Sequence, residues 1–220
     1  MTEHTSPRTG QDRSYLPGMG RDPLLPIYDT FTRVLGVPTA HRFLADRAGI
    51  APGQDVLEIG CGTGNLALLV KRRYPDARVV GLDPDPLALA RAARKAARRG
   101  LTVRLDRGFG DTLPYPDGSF DRVLSAFMFH HLDAAEKPAV LREVVRVLRP
   151  GGRLHLLDIG GSAHPSHGFL ARRTHASPRI QDNLSDRIPA LMREAGLADA
   201  RETHHVRIRA GRCAVFEGTR

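Results

Sequence analysis

The sequence predicts an α/β fold, a mostly parallel sheet with helices on both faces, and three observations carry that prediction. Short apolar runs of strand character alternate with helical patterns of roughly 10–15 residues, the mark of βαβ units. One strand runs directly into a glycine-rich turn, Gly60-Cys61-Gly62-Thr63-Gly64, from which a helix opens. The chain ends on two runs joined at Ala210-Gly211, a hairpin that adds an antiparallel edge. At roughly 150 residues per domain, 220 residues make one domain with an extension. An apolar share of 41% is enough for one packed core.

Met1 to Gly20 is rich in Thr, Ser, Pro, Gly and Arg, has no periodicity, and reads as a flexible tail (1–20). From Asp22 to Gly36, Leu25, Tyr28, Phe31, Thr32 and Leu35 recur at spacings of three and four, with Pro23 in the first turn and Gly36 as the stop. A second short helix starts after Pro38 and ends at Gly49, so residues 21–50 form an N-terminal helical unit ahead of a main domain over 51–220. There, strand one is Asp55 to Ile59, and Gly64 to Tyr74 is a helix with Leu66, Leu69 and Val70 inward. Strand two is Arg78 to Leu82, followed by an Ala- and Arg-rich helix from Pro86 to Arg99 closed by Gly100. Strand three is Leu101 to Leu105 and strand four is Phe120 to Phe127. A helix from Ala134 to Leu148 stops at Pro150-Gly151-Gly152, and strand five runs from Arg153 to Ile159. Ser162 to Pro178 is irregular; Leu184 to Ala195 is an amphipathic helix ending at Gly196, and Ala200–Arg209 with Arg212–Glu217 forms the hairpin.

Composition narrows the function classes. The longest clean apolar run, Leu66 to Val70, is far short of the ~20 residues that span a bilayer. The first twenty residues carry no apolar core of the secretory kind, so the expected location is the cytoplasm. Two cysteines, Cys61 and Cys213, make neither a disulfide framework nor a multi-cysteine zinc site. The net charge of +9 points toward nucleic acid, but 30 of the 33 positive residues are Arg, a skew that coding bias also produces. The densest basic stretch, Arg91, Arg94, Lys95, Arg98 and Arg99, has the spacing of a solvated helix face and no interleaved aromatic platform.

The glycine turn carries most of the functional information. Glycines allow positive φ and let a ligand lie against bare backbone. Nineteen residues past Gly64, Asp83 ends strand two, where a carboxylate can accept from both hydroxyls of a ribose. The pattern is G-x-G-x-G rather than the dinucleotide G-x-G-x-x-G, and Glu58 precedes it by two residues. A carboxylate there opposes a pyrophosphate and suits a cationic amino or sulfonium group, which favours S-adenosylmethionine over NAD.

VLEIGCGTGNLAL, GLDPDP, LPYPDGSFDRVLSAFMFHHL and LREVVRVLRPGGRLHLLDI together resemble the class I S-adenosylmethionine-dependent methyltransferases. The nearest likeness is to the small-molecule branch that includes the ubiquinone/menaquinone C-methyltransferases (methyltransferase domain type 11). The resemblance implies a Rossmann-like seven-stranded sheet in the order 3-2-1-4-5-7-6 with strand 7 antiparallel, and an N-terminal helical lid over 21–50. It implies S-adenosyl-L-methionine as cofactor, with S-adenosyl-L-homocysteine as product. It places Gly60, Cys61, Gly62, Thr63 and Gly64 round the methionine portion, with Glu58 near its amino group. It places Asp83 on the ribose hydroxyls, Pro84 beside the adenine, Gly110 and Asp111 at the adenine edge, and Ser125, Ala126 and Phe127 beside the methyl. Relatives reading G-D-A-E-x-L-P-F use an Asp for the adenine N6; Phe109 stands at that position here.

Methyl transfer is an in-line displacement, so the protein's work is alignment and exclusion of water, with a base needed only when the acceptor must lose a proton. His130 and His131 follow strand four directly and are the candidate bases, with His131 favoured; Tyr28, on the lid, is a third candidate. Each has a plainer reading as a helix cap or packed aromatic. His164, His167, His175, His204 and His205 lack supporting ligands at metal spacing, so no metal is expected. The expected function is methyl transfer to a small, apolar organic acceptor. The competing readings are an RNA or protein methyltransferase using the basic surface, and a non-catalytic adenosylmethionine binder. The N/D-P-P-aromatic motif of adenine-amino methylators is absent, since Ser125-Ala126-Phe127-Met128 occupies that place, which argues against nucleic acid. A homodimer is compatible with the sequence.

Overall fold

The computed structural model describes residues 34–159, 186–209 and 211–220. Helix α1 is Val37–Arg47, strand β1 Asp55–Ile59, α2 Asn65–Arg73, β2 Arg78–Asp83, α3 Pro86–Arg98 and β3 Arg104–Arg107. After them come β4 Phe120–Ala126, a single helical turn Phe129–His131, α4 Glu136–Val147, β5 Leu148–Ile159, α5 Arg187–Glu194, β6 Ala198–Ile208 and β7 Gly211–Thr219. The strands form one sheet in the order β3-β2-β1-β4-β5-β7-β6. Pairing is parallel from β3 through β5 and antiparallel at β5–β7 and β7–β6. This is the expected seven-stranded Rossmann-like arrangement.

Local chemistry explains the elements. Asp85 caps α3, its Oδ1 accepting from the N–H groups of Leu87 and Ala88, and Pro86 supplies the fixed φ of a first turn. Gly36 (φ 85°), ahead of α1, and Gly100 (φ 62°), past the end of α3, take the left-handed conformation. Apolar side chains on the two sheet faces make two cores. One joins Leu57, Leu82 and Leu156 to Val140, Val144, Ile188 and Met192 of α4 and α5. The other joins Val56, Leu124 and Leu157 to Leu44, Leu66 and Val70 of α1 and α2.

Two boundaries differ from the sequence reading. Strand β3 begins at Arg104 rather than Leu101, because Leu101 N–H still bonds the Ala96 carbonyl and closes the end of α3. Strand β5 begins at Leu148, so Pro150-Gly151-Gly152 lies within it and does not precede it. The strand register shifts there against Phe120 and Arg122, and Gly151 (φ 78°) donates to the Arg220 carbonyl while Arg220 donates back to Gly152. The run is thus a bulge held by the chain's last residue. The segment 1–33, which includes the expected tail, the first part (21–33) of the expected lid and Tyr28, lies outside the described residues, as do His164, His167 and His175. No helix among the described residues is long and apolar enough to cross a membrane.

Candidate functional site

The carboxyl ends of β1, β2, β4 and β5 meet at one edge of the sheet, and the predicted residues of the glycine turn converge there. At the exit of β1 the Gly60 and Cys61 N–H groups both donate to the Leu82 carbonyl, at 2.9 and 3.0 Å, which folds the turn across the end of β2. A Cβ on Gly60 (φ 73°) would stand 2.4 Å from Met128 Cγ, and one on Gly64 (φ 75°) would stand 2.8 Å from Ala92 Cβ. These two glycines are therefore required by close approach as well as by φ. Gly62 differs: a Cβ there would meet nothing within 4 Å, so the turn's middle faces open space.

Asp83 ties the turn to β2. Its Oδ2 accepts from Gly62 N–H at 2.7 Å and its Oδ1 from Asp85 N–H at 2.9 Å. Burial raises its pKa to about 6, against the lowering effect of those two hydrogen bonds, with the Asp85 charge adding to the rise. A carboxylate has about four acceptor positions, so two are left for a ligand's hydroxyls. Glu58 is buried beneath the turn, and among the described residues its Oε2 has no hydrogen-bond partner. Burial holds its pKa well above the usual range; the Asp83 charge adds to this, and the Ala67 N–H and the Lys95 charge oppose it.

Lys95 was placed by the sequence on a solvated face with Arg91, Arg94, Arg98 and Arg99. It is instead buried, donating to Thr63 Oγ1 at 3.0 Å and Asn65 Oδ1 at 2.7 Å. It shares the buried side of α3 with Ala88, Ala92 and Ala96, a placement that spacing alone does not distinguish from a surface one. His41 of α1 is a second residue the sequence reading missed. It is buried near Phe127, with ring centroids 6.0 Å apart. Burial, with the Lys95 charge adding, lowers its pKa to about 4, so it is neutral at pH 7.

At the exit of β4, buried Ser125 donates to the Ile59 carbonyl at 3.1 Å, joining it to the residue before Gly60. Ala126 is buried beside it, and Phe127 takes the left-handed conformation (φ 56°) with its N–H on the Leu157 carbonyl. For a bulky residue that conformation is strained, and it turns the chain toward the glycine turn. The turn that follows is anchored by buried Phe129 and carries His130 and His131, whose rings lie 4.1 Å apart. His130 Nδ1 is 2.6 Å from Asp158 Oδ1. Pro84 is half-buried after Asp83, and its carbonyl accepts from Arg107. Gly110 packs on Ile59 and Val140, and Asp111 follows it. Cys61 is buried and its thiol pKa is pushed up by that burial, which makes it a poor nucleophile.

Among the described residues no three His, Cys, Asp or Glu side chains converge as metal ligands. His204 packs edge-on against Phe43, and His205 pairs with Glu202 at 3.0 Å.

A buried carboxylate with one oxygen unpartnered among the described residues, a second carboxylate with spare acceptor positions, and an open glycine turn fit a ligand that brings an ammonium and paired hydroxyls. S-adenosylmethionine has both. When bound, it supplies a methyl group on a sulfonium sulfur, already activated for capture by a nucleophile.

Comparison with known proteins agrees. A family model described as a methyltransferase domain matches residues 56–152. The demethylmenaquinone methyltransferase of Thermus thermophilus is 40% identical over 152 residues, 68% of this chain and 68% of its own length. The ubiquinone/menaquinone biosynthesis C-methyltransferase UbiE of Syntrophotalea carbinolica is 31% identical over 184 residues, 80% of this chain and 77% of its own. The YcgJ protein from Bacillus subtilis shares the fold with a TM-score of 0.69 at 19% identity, covering 83% of this chain and 98% of its own. The chain therefore belongs to the class I S-adenosylmethionine-dependent methyltransferases, in the branch of the ubiquinone/menaquinone C-methyltransferases, and is an enzyme whose cofactor is S-adenosylmethionine.

Proposed function

We propose that the enzyme methylates a carbon of a small, apolar, quinol-like aromatic acceptor. The observation that carries this is the apolar segment Ala126-Phe127-Met128-Phe129, which leaves β4 and packs Met128 directly on Gly60. An acceptor approaching the methyl along the half-buried Phe127 and Met128 meets aromatic and thioether surface, backed by buried Ala126 and Phe129, and apolar contact there excludes water from the displacement. The names of the two relatives above support the same acceptor class.

In this reading Asp83 accepts from the ribose hydroxyls and Glu58 is paired by the amino group. Gly60, Cys61, Gly62, Thr63 and Gly64 hold the methionine portion. Pro84, Gly110 and Asp111 border the adenine, with Phe109 providing a stacking surface in place of a carboxylate. Ser125, Ala126 and Phe127 border the methyl. His130, His131 and Tyr28 are the candidates for handling an acceptor proton.

Two measurements test this. Calorimetric titration should show S-adenosylhomocysteine binding and no binding of NAD. Radiolabelled methyl should then pass from S-adenosylmethionine to chemically reduced demethylmenaquinone. Transfer to RNA or protein in preference to the quinol would overturn the acceptor class.

A further inference from the structure

Asp158 closes β5 and is fully buried. Nothing in its own neighbourhood of sequence marks it. Its Oδ1 lies 2.6 Å from His130 Nδ1 and also accepts the Ile159 N–H, while its Oδ2 accepts the His130 N–H at 3.1 Å. The preceding residue, Leu157, takes the Phe127 N–H at 2.9 Å, so the exit of β4 is locked to the end of β5. The same exit seats Met128, two residues before His130, on Gly60 of the glycine turn. His130 is thus fixed through both its backbone and its ring, and its side chain keeps 16% exposure. His131, favoured by the sequence reading, stacks on it.

We propose that Asp158 is a positioning residue that fixes His130 as the base taking a hydroxyl proton from the acceptor, which is therefore a hydroxyaromatic. The proposal rests on the methyl-transfer reading above and deepens it. With Nδ1–H bonded to Asp158, Nε2 is the ring's basic nitrogen. The acceptor O–H proton passes to Nε2, and the resulting imidazolium is held by the Asp158 carboxylate. The activated ring carbon uses its electron pair to take the methyl, and the sulfonium sulfur keeps the pair of the broken C–S bond. The ring C–H proton then leaves to water and His130 returns its proton to the oxygen, so the net release is one proton.

Among the described residues, the groups facing His130 are Asp158 from β5, Lys137 from α4 and His131 in the same turn. Burial alone would lower its pKa. The Asp158 charge and hydrogen bond outweigh that, with a smaller opposing pull from Lys137, so His130 titrates above the ordinary histidine value. Methyl transfer should accordingly rise with pH through that value, as neutral imidazole becomes available.

The test uses the full chain loaded with S-adenosylhomocysteine and 1-naphthol as the probe, whose ionisation is read by absorbance at pH 7.5. Bound to the wild type, the ionised fraction of naphthol should rise about tenfold over that of free naphthol, as expected for a phenol beside a paired cation. Asp158→Asn and His130→Gln should each return it to the free value while leaving S-adenosylhomocysteine affinity within about twofold of wild type. Asp158→Asn should also lower the His130 titration midpoint followed by NMR. Equal ionisation in all three proteins, no rise in the wild type, or no naphthol binding would overturn the proposal. If Asp158→Asn does not fold, His130→Gln carries the same expectation, since that ring keeps a solvent-facing edge. Failure of the wild type to bind S-adenosylhomocysteine would strike the cofactor assignment instead, and the calorimetry shows which has failed.

Discussion

Asp83 offers the sharpest test, because one carboxylate makes stability and cofactor binding depend on pH in opposite directions. Its pKa is raised by burial from the ordinary value of 3.8 to about 6. A folded-state pKa above the unfolded one means that the folded chain binds more protons between the two values. Stability attributable to Asp83 is therefore lost as pH rises from below 3.8 to above 6. At about 1.4 kcal/mol per pKa unit, the loss is about 3 kcal/mol. The ribose hydroxyls, by contrast, need the ionised form as acceptor. At pH 5 roughly one Asp83 in eleven is ionised and at pH 7 about nine in ten, so affinity should be about tenfold weaker at pH 5. Calorimetric titration with S-adenosylhomocysteine from pH 4.5 to 8, in buffers of different ionisation enthalpy, would measure both the affinity and the protons released. Denaturant melts of the ligand-free protein, with Asp83→Asn subtracted to cancel other titrations, would isolate the stability term. An affinity flat across pH 5 to 7, or a wild-type-minus-variant stability that does not fall across pH 4 to 6, would refute the reasoning.

Other substitutions separate the parts of the site. Gly60→Ala must fit a Cβ 2.4 Å from Met128 Cγ at φ 73°; it should lower stability by about 1–3 kcal/mol, seen as a reduced melting temperature, and weaken S-adenosylhomocysteine binding as the Met128 segment shifts. Lys95→Met keeps the buried stem but removes the donors to Thr63 and Asn65; affinity should fall about tenfold, and the His41 pKa, held down partly by the Lys95 charge, should rise in an NMR titration. Asp55→Asn acts at the opposite edge of the sheet, where Asp55 pairs with Arg78 at 2.6 Å and Arg149 at 2.9 Å. Hydrogen bonding to Arg78 holds the Asp55 pKa below its usual value, so its contribution is present above the unfolded pKa and lost as pH falls through the folded one. Both arginines are partly exposed, so the variant should lose only about 1 kcal/mol in denaturant melts at pH 7, with cofactor affinity unchanged.

What the sequence showed and what it hid divide along a physical line. The glycine turn and Asp83 are readable because their geometry is local. Three glycines at alternate positions encode positive φ, and a carboxylate at the end of the next strand must stand beside them in a parallel βαβ unit. Lys95 is hidden because its spacing from Arg91, Arg94, Arg98 and Arg99 is that of any basic helix face. Only the packing of α3 shows that Arg94 and Arg98 are exposed while Lys95 points inward. Asp158 is hidden because its partner His130 is 28 residues away, and their meeting depends on the β4–β5 register. The Pro150-Gly151-Gly152 bulge was misplaced because composition marks a break in the chain without saying whether strand pairing resumes across it.

The charge of the protein is organised by position along the sheet, which is why the total of +9 is a poor guide to function. At the amino edge the arginines are structural. Arg149 bridges Asp55 and Asp121, Arg122 donates to the Ala48 and Gly49 carbonyls, and Arg146 holds Glu143, Asp117 and the carbonyls of Leu113 and Tyr115. At the carboxyl edge the buried charged side chains are four acids, Glu58, Asp83, Asp85 and Asp158, and two lysines, Lys95 and Lys137. Burying several carboxylates in one place is costly unless each is hydrogen-bonded, paired or protonated. Asp85 is used by a helix cap, Asp158 by His130, and Asp83 in part by backbone N–H groups, while Glu58 Oε2 has no partner among the described residues. A ligand that brings positive charge relieves that site, and one that brings a pyrophosphate worsens it. With Glu58 and Asp83 in the proposed roles, the discrimination between a sulfonium cofactor and a dinucleotide comes from the desolvation of a few acids, on a molecule whose overall charge has the opposite sign.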